Sequence, residues 1–277
     1  MGKPLIPAQR RERIQEYLAT HKIVSTTDLC ELLDVSDATI RRDLEWLELQ
    51  GFLERTHGGA ILSERLQLEQ AYYQRAESCP EEKRLIGALA ASMIQDGDIV
   101  FINSGTTTTQ VIRHIHRDAD VTVITNNLIA VNEVGEVNFE IILLGGSFQP
   151  KSHSVAGRFA ISNLSQVYAT KAFIGVDGIS IRHGYTIPSN TEAELINLMV
   201  ERSEGPITIV SDHTKWGVVS NFEIAPVHRI PRLITDEGLD AGARSALAAR
   251  SVEILIASPS AVNDRLRLGE AAAPVHT

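Results

Sequence analysis

The sequence predicts an α/β chain, with a small helical N-terminal part ahead of a larger, mainly parallel, Rossmann-like sheet domain. Two textures carry that prediction. Up to about Ala60 the apolar residues recur at helical spacing with little strand signal. From about Ser78, short β-branched runs alternate with loops and helical stretches. The runs are Ile99–Ile102, Val121–Thr125, Glu140–Leu144, Ala172–Val176, Pro206–Val210, Arg232–Thr235 and Val252–Ile256. Strands that alternate with helices form βαβ units, and these build parallel sheets. The length agrees, because 277 residues suit one to two domains with a sizeable core.

Composition removes several classes. Apolar residues make up 43% and charged residues 22%, near the globular average, so wholesale disorder is excluded. Two cysteines, Cys30 and Cys79, make no disulfide framework, and no C-x-x-C spacing suggests zinc. His114 and His116 stand two apart on a predicted helix and face different sides. No metal, cofactor or cysteine nucleophile is expected. The opening MGKPLIPAQRRER lacks an apolar signal core, no apolar run approaches a membrane span, and Ile6 replaces the hydroxyl of a myristoylation motif. The expected setting is cytoplasmic, with no membrane partner.

The net charge of −9 argues against a nucleic-acid partner. Residues 1–60 hold eight Lys and Arg against ten Asp and Glu, leaving −2. Phosphate binding there would require a clustered arginine face. The expected boundaries are 1–62 for the first domain, 63–77 for a partly helical connector, 78–257 for the second domain and 258–277 for a fraying tail.

Three helices can be placed near the N-terminus. Gln9–His21 carries Ile14 and Leu18 four apart, and Ser25-x-x-Asp28 has capping-box form ahead of Leu29, Leu32 and Leu33. After a turn at Asp34-Val35, Ser36 starts a third helix that ends near Gly51, with Ile40, Leu44 and Leu47 on its buried stripe. Ala38 and Arg42 then point away from the core, flanked by Thr39 and Arg41. Small residues and arginines leading the outer face of a second helix give the helix-turn-helix layout, which reads base edges in the major groove. Phe52–Arg55 and Thr56-His57-Gly58-Gly59-Ala60 continue as a strand and a glycine-tipped wing. A helical docking module remains the alternative from periodicity alone.

In the larger domain, the strand IVFIN runs into Ser104-Gly105-Thr106-Thr107-Thr108-Thr109 before a helical stretch. Backbone N–H groups, hydroxyls and the positive helix end there can hold an anion. The loop lacks the lysine of a nucleotide-triphosphate motif. Asn126, Gly145-Gly146, Asp177-Gly178, Asp212 with His213 and Lys215, and Asp236 follow other strands. In a parallel sheet all these ends lie on one side, where ligands bind. Each alone reads equally as a turn or cap residue.

Ser36-Asp37-Ala38-Thr39-Ile40-Arg41-Arg42-Asp43-Leu44 together with Arg55-Thr56-His57-Gly58-Gly59-Ala60 resembles the signature of the DeoR family of bacterial transcriptional regulators. The resemblance extends to about Ile256 through SGTTT, TNN, LGG, FIGVDGIS, EAE and DHTKWG. It implies a winged helix-turn-helix that contacts double-stranded operator DNA through Ser36, Thr39, Arg41 and Arg42, with Arg55 and His57 at the wing. It also implies a sugar-phosphate sensor domain related to ribose-5-phosphate isomerase, glucosamine-6-phosphate deaminase and CoA transferases. Ser104, Gly105, Thr106, Thr107 and Thr108 would hold the phosphate, Asn126, Gly145 and Gly146 would shape the pocket, and Asp177, Glu192 and Lys215 would surround the open-chain sugar. Asn103 stands where family members usually carry an acid, and Trp216 where they carry Phe.

The leading expectation is a non-enzymatic regulator, a repressor of a carbohydrate uptake or catabolic operon, acting as a homo-oligomer (dimer or tetramer) with a phosphorylated sugar effector. The alternatives are a sugar-phosphate isomerase or deaminase using Asp177 and Glu192 as acid and base, and a constitutive DNA binder whose second domain only oligomerises.

Overall fold

A computed structural model describes residues 6–21, 23–49, 52–56, 58–62 and 72–262. His57, Gly51, residues 63–71 of the expected connector and residues 263–277 of the expected tail lie outside the described residues. The chain divides into two compact units, Met1–Gln70 and Ala71–Thr277.

The first unit runs α1 (Pro7–His21), β1 (Ile23–Ser25), α2 (Thr26–Leu33), α3 (Asp37–Leu49), β2 (Leu53–Thr56) and β3 (Gly59–Leu62). Its strands form an antiparallel sheet in the order β1-β3-β2. Ser25 caps α2, its hydroxyl accepting from the Asp28 N–H at 3.0 Å, and Asp34 in the left-handed region (φ 51°) ends the helix. The apolar stripes meet in one core of Ile14, Leu18, Leu29, Leu33, Ile40, Leu44, Leu47 and Leu53. Strand β1, absent from the sequence expectation, fixes the wing by pairing Ser25 with Gly59.

The second unit opens with α4 (Tyr72–Glu77) and α5 (Pro80–Ala91). All seven β-branched runs become the strands of one parallel sheet: β4 (Ile99–Ile102), β5 (Thr122–Thr125), β6 (Glu140–Leu143), β9 (Lys171–Gly175), β12 (Ile207–Val210), β14 (Arg232–Asp236) and β15 (Glu253–Ala257). Their order is β15-β14-β12-β9-β4-β5-β6. Alternate side chains feed two cores. Phe101, Ile124, Ile174 and Ile209 pack with Leu164, Tyr185, Met199 and Leu247, while Val100, Ile102, Phe173 and Val210 pack with Ile86, Val111 and Ile112 on the other face. Helices α6 (Thr106–Arg113), α7 (Leu128–Glu133), α8 (Arg158–Leu164), α9 (Asn190–Glu201) and α10 (Ala241–Ala248) complete the layers.

Two small antiparallel sheets were not anticipated: β7 (Ser147–Gln149) with β8 (Ser154–Ala156), and β10 (Gly178–Ser180) with β11 (Gly184–Ile187) and β13 (Phe222–Ala225). Ser78-x-x-Glu81 has capping-box spacing, but Ser78 is not the cap of α5. Cys79 occupies the N-cap of α5 at φ 48° with no side-chain cap, and Pro80 follows. Val262, within the segment expected to fray, is buried in the core that contains Ile234 and Ala257, and its N–H reaches the Ser258 carbonyl at 3.1 Å. No described helix is long and apolar enough to cross a membrane.

Candidate functional site

The outer face of α3 is built by what its inner face must bury. Ile40, Asp43, Leu44 and Leu47 turn inward, which leaves Ser36, Arg41 and Arg42 exposed and Thr39 half-buried. The Ser36 carbonyl accepts from Thr39 and Ile40 N–H groups at 2.9 and 3.1 Å, and its hydroxyl lies 2.9 Å from that of Thr39. Arg41 pairs with Asp37 one turn earlier at 2.7 Å, exposed enough for a phosphate to compete. Arg42 has no ion-pair partner among the described residues. Arg55 is more committed. Its Nε donates to Glu48 Oε2 at 2.7 Å and its backbone N–H to Oε1 at 3.0 Å. These bonds hold the Glu48 carboxyl below its ordinary range and push the Arg55 guanidinium up.

Two other arginines of this unit serve the fold. Arg10 pairs with buried Asp43 through Nε, and Arg11 Nε donates to the same carboxylate at 3.0 Å while its guanidinium lies 4.3 Å from the Trp46 ring.

In the second unit, strand order locates the topological switch point without reference to motifs. From β4 the chain adds β5 and β6 on one side, then returns to place β9, β12, β14 and β15 on the other. The switch point lies between β4 and β9, where ligands enter open α/β sheets. Asn103 spans it. Its Nδ2 donates to the Gly175 carbonyl at 3.0 Å and its Oδ1 accepts from the Gly175 N–H at 2.7 Å. The side-chain amide thus extends the ladder by one rung past the end of β4.

Beyond Asn103 the chain turns into α6. Residues 104–106 are half-buried, while Thr107, Thr108 and Thr109 are buried. The Thr108 and Thr109 hydroxyls donate to the Gly105 carbonyl at 3.1 and 2.8 Å, so they brace the loop. Only its first residues, with the first-turn N–H groups that no helix can satisfy, remain available to a ligand. Asn126 is also a brace. It accepts from the Ser104 N–H at 2.8 Å and donates to the Val155 carbonyl at 3.0 Å. Its neighbour Asn127, which sequence reasoning passed over, caps α7 through the Ile129 and Ala130 N–H groups. Glu192 Oε1 accepts from the Ser104 and Ser154 hydroxyls at 3.3 and 2.8 Å.

Asp177 follows β9 and accepts from Arg75 Nη1 at 2.9 Å, across 102 residues. Among the described residues, Arg75 Nε is buried with no hydrogen-bond partner. Its carbonyl accepts at 2.9 Å from Lys83, whose ammonium also bonds the Ser78 carbonyl and lies 3.5 Å from Asp212 Oδ2. Burial drives the Lys83 pKa down. Asp212 is buried too, yet Thr214, Lys83 and Lys215 outweigh that burial and hold its carboxyl below the ordinary range. Lys215 belongs to this group through its charge. Arg75 and Lys83 precede the first strand of the sheet, and no local pattern in the sequence announces them. Gly145 and Gly146 are exposed. A Cβ on Gly146 would lie 2.7 Å from the Ala156 carbonyl, so close backbone packing explains that glycine.

The structure therefore joins Ser104 to Asn126 and Glu192, and Lys215 to Asp212 and Lys83, with Arg75 and Asp177 between the groups. Comparison with known proteins matches each of the two units to a family domain. The family model described as the DeoR-like helix-turn-helix domain matches residues 10–65. The DeoR C terminal sensor domain matches residues 78–237. The HTH-type transcriptional repressor GlcR of Bacillus subtilis is 36% identical over 90% of this chain and 95% of its own. The HTH-type transcriptional regulator GlpR of Haloferax volcanii is 33% identical over 91% of this chain and 98% of its own. The putative aga operon transcriptional repressor of Escherichia coli O157:H7 is 32% identical over 90% and 93%. Ribose 5-phosphate isomerase A from Methanocaldococcus jannaschii aligns over 50% of this chain and 55% of its own at 14% identity and a TM-score of 0.37, too loose a likeness to carry an argument. Two matched domains in one order, and relatives that are regulators along nearly their whole length, have one meaning: the chain belongs to the DeoR family of DNA-binding transcriptional regulators.

Proposed function

We propose that the protein represses a carbohydrate uptake or catabolic operon and releases its operator when a phosphorylated sugar binds at the carboxyl edge of the parallel sheet. One observation supports the reading above others. At the β4/β9 switch point, a helix start with open N–H groups lies on the same sheet edge as Arg75, Lys83 and Lys215. A dianionic phosphate is held by several fixed donors, and nearby cations strengthen those bonds. Glu192, already accepting from two hydroxyls, suits the hydroxyls of the sugar better than its phosphate. Asp177 is already engaged by the Arg75 guanidinium at 2.9 Å.

Titration calorimetry with a panel of pentose and hexose phosphates tests this. Thr106→Ala and Lys215→Ala should each weaken binding about 10-fold or more, as loss of a charge-assisted bond does, while operator affinity without ligand stays at the wild-type value. Undiminished binding in both variants would move the effector site elsewhere.

A further inference from the structure

The parallel sheet ends on a strand with no neighbour. β6 pairs with β5 on its inner side and, among the described residues, with nothing on its outer side. The Glu140 and Leu144 N–H groups donate inward, to the carbonyls of Val121 and Thr125 at 3.2 and 2.8 Å. By strand alternation, the N–H and C=O groups of Ile141 and Leu143 point outward. Proteins usually blunt such an edge with charge, proline or a bulge. Past Glu140 this edge reads Ile-Ile-Leu-Leu. Ile142 is 39% exposed and Leu143 40%. The apolar exposure continues beyond the strand at Phe148 (54%) and Phe159 (61%). A Cβ on Gly146 would lie 3.1 Å from the Cβ of Ala160, which places α8 and its Phe159 beside the end of β6.

We propose that β6 is a two-fold interface, joining two copies of this chain by antiparallel pairing centred on Ile142. In that register Ile141 of one copy faces Leu143 of the other. Both have outward backbone groups, so each such pair exchanges two hydrogen bonds. Ile142 meets its own counterpart at the close, non-bonded position, about 4.5 Å between Cα atoms. Charge selects a second copy as the occupant and the antiparallel direction as its pose. Glu136 and Glu140 stand at the start of the strand, and Arg158, exposed against the Phe159 ring, stands beside its end. An antiparallel two-fold brings the acidic end of each copy to the basic end of the other, and sets Glu140 opposite Leu144 rather than opposite itself. Paired reading units also need a two-fold somewhere in the assembly.

The test is the mass of the full chain by sedimentation equilibrium, with neither DNA nor effector present. Ile142→Glu and Ile142→Lys each place a like charge against itself, so each should halve the assembly mass. An equimolar mixture of the two should restore it. Independently, Ile142→Cys in a Cys30→Ser, Cys79→Ser background should cross-link between subunits on mild oxidation, because the Cα separation suits a disulfide. Glu140→Cys in that background should not. A wild-type protein that is monomeric overturns the proposal. So do charged variants that fold with the wild-type circular dichroism and keep the wild-type mass, and so does failure of Ile142→Cys to cross-link. Because no ligand enters either readout, such a failure leaves the proposed effector site standing.

Discussion

Asn103 shows how a single amide differs from the acid it resembles in shape. It is 2% exposed and both of its polar groups are spent on Gly175, one donating and one accepting. A carboxylate can only accept. Asn103→Asp would keep the bond from the Gly175 N–H and set a negative oxygen against the Gly175 carbonyl. The expected cost is about 1–3 kcal/mol at neutral pH, the usual result of a buried, mispaired polar group. Burial and the facing carbonyl both disfavour the ionised form, so the folded pKa is raised above the unfolded one. The deficit is therefore full at pH 7 and shrinks as pH falls through the folded pKa, where the proton restores the missing donor. Urea unfolding of both proteins across that range measures it, and a deficit that grew in acid would refute the ladder role. Asp43 makes the opposite point. In the sequence it reads as one acid in an arginine-rich helix, but it is 1% exposed and holds Arg10 and Arg11 to α3.

At the scale of elements, legibility followed burial. The inner strands β4, β5, β9, β12 and β14 are buried on both faces and read as near-continuous apolar runs. The edge strands β6 and β15 are more exposed but keep apolar runs of their own, so all seven were visible. β1, β7 and β10 were not. Each is three residues long, too short for a period, and exists because a partner strand is present. The proposed site divides in the same way. Ser104, Asp177 and Lys215 follow strands and could be read from position, whereas Arg75 and Lys83 reach the edge from helices that precede the sheet. The wing illustrates how structure separates two identical neighbours. In the sequence Gly58 and Gly59 read together as the glycine tip of the wing. Among the described residues a Cβ on Gly58 would meet nothing within 4 Å, while one on Gly59 would lie 1.9 Å from the Val24 carbonyl of the paired strand β1. Gly59→Ala should destabilise the DNA-binding unit by about 1–3 kcal/mol, as overpacking does, and weaken operator binding with it. Gly58→Ala should leave the melting temperature within the small range of surface changes. Equal melting temperatures for the two variants would contradict the close contact.

For the whole molecule, the charge of −9 is compatible with DNA binding once the arginines are sorted. Arg10 and Arg11 are held by Asp43 and Arg55 by Glu48, which leaves Arg41 and Arg42 as the outward cations of α3. Arg42→Ala should cost about 1–3 kcal/mol of operator affinity if the contact is to a base edge, with an effect that depends on sequence. Affinity of the wild-type protein should fall steeply as salt rises. Gel-shift titrations on operator and scrambled DNA at several salt concentrations decide this, and wild-type affinity in both Arg41→Ala and Arg42→Ala would take α3 out of the groove. The Asn103–Gly175 bridge across the switch point also sets an order in time. Its partners lie 72 residues apart, whereas Arg10 and Asp43 in the first unit are 33 apart. Contacts between distant residues form late because a longer loop must close first. A chain emerging from the ribosome holds every partner its DNA-reading unit needs long before Gly175 has been made. The first unit is complete before the second, so a newly synthesised subunit passes through a stage in which its helix-turn-helix is folded while the β4/β9 edge is still open.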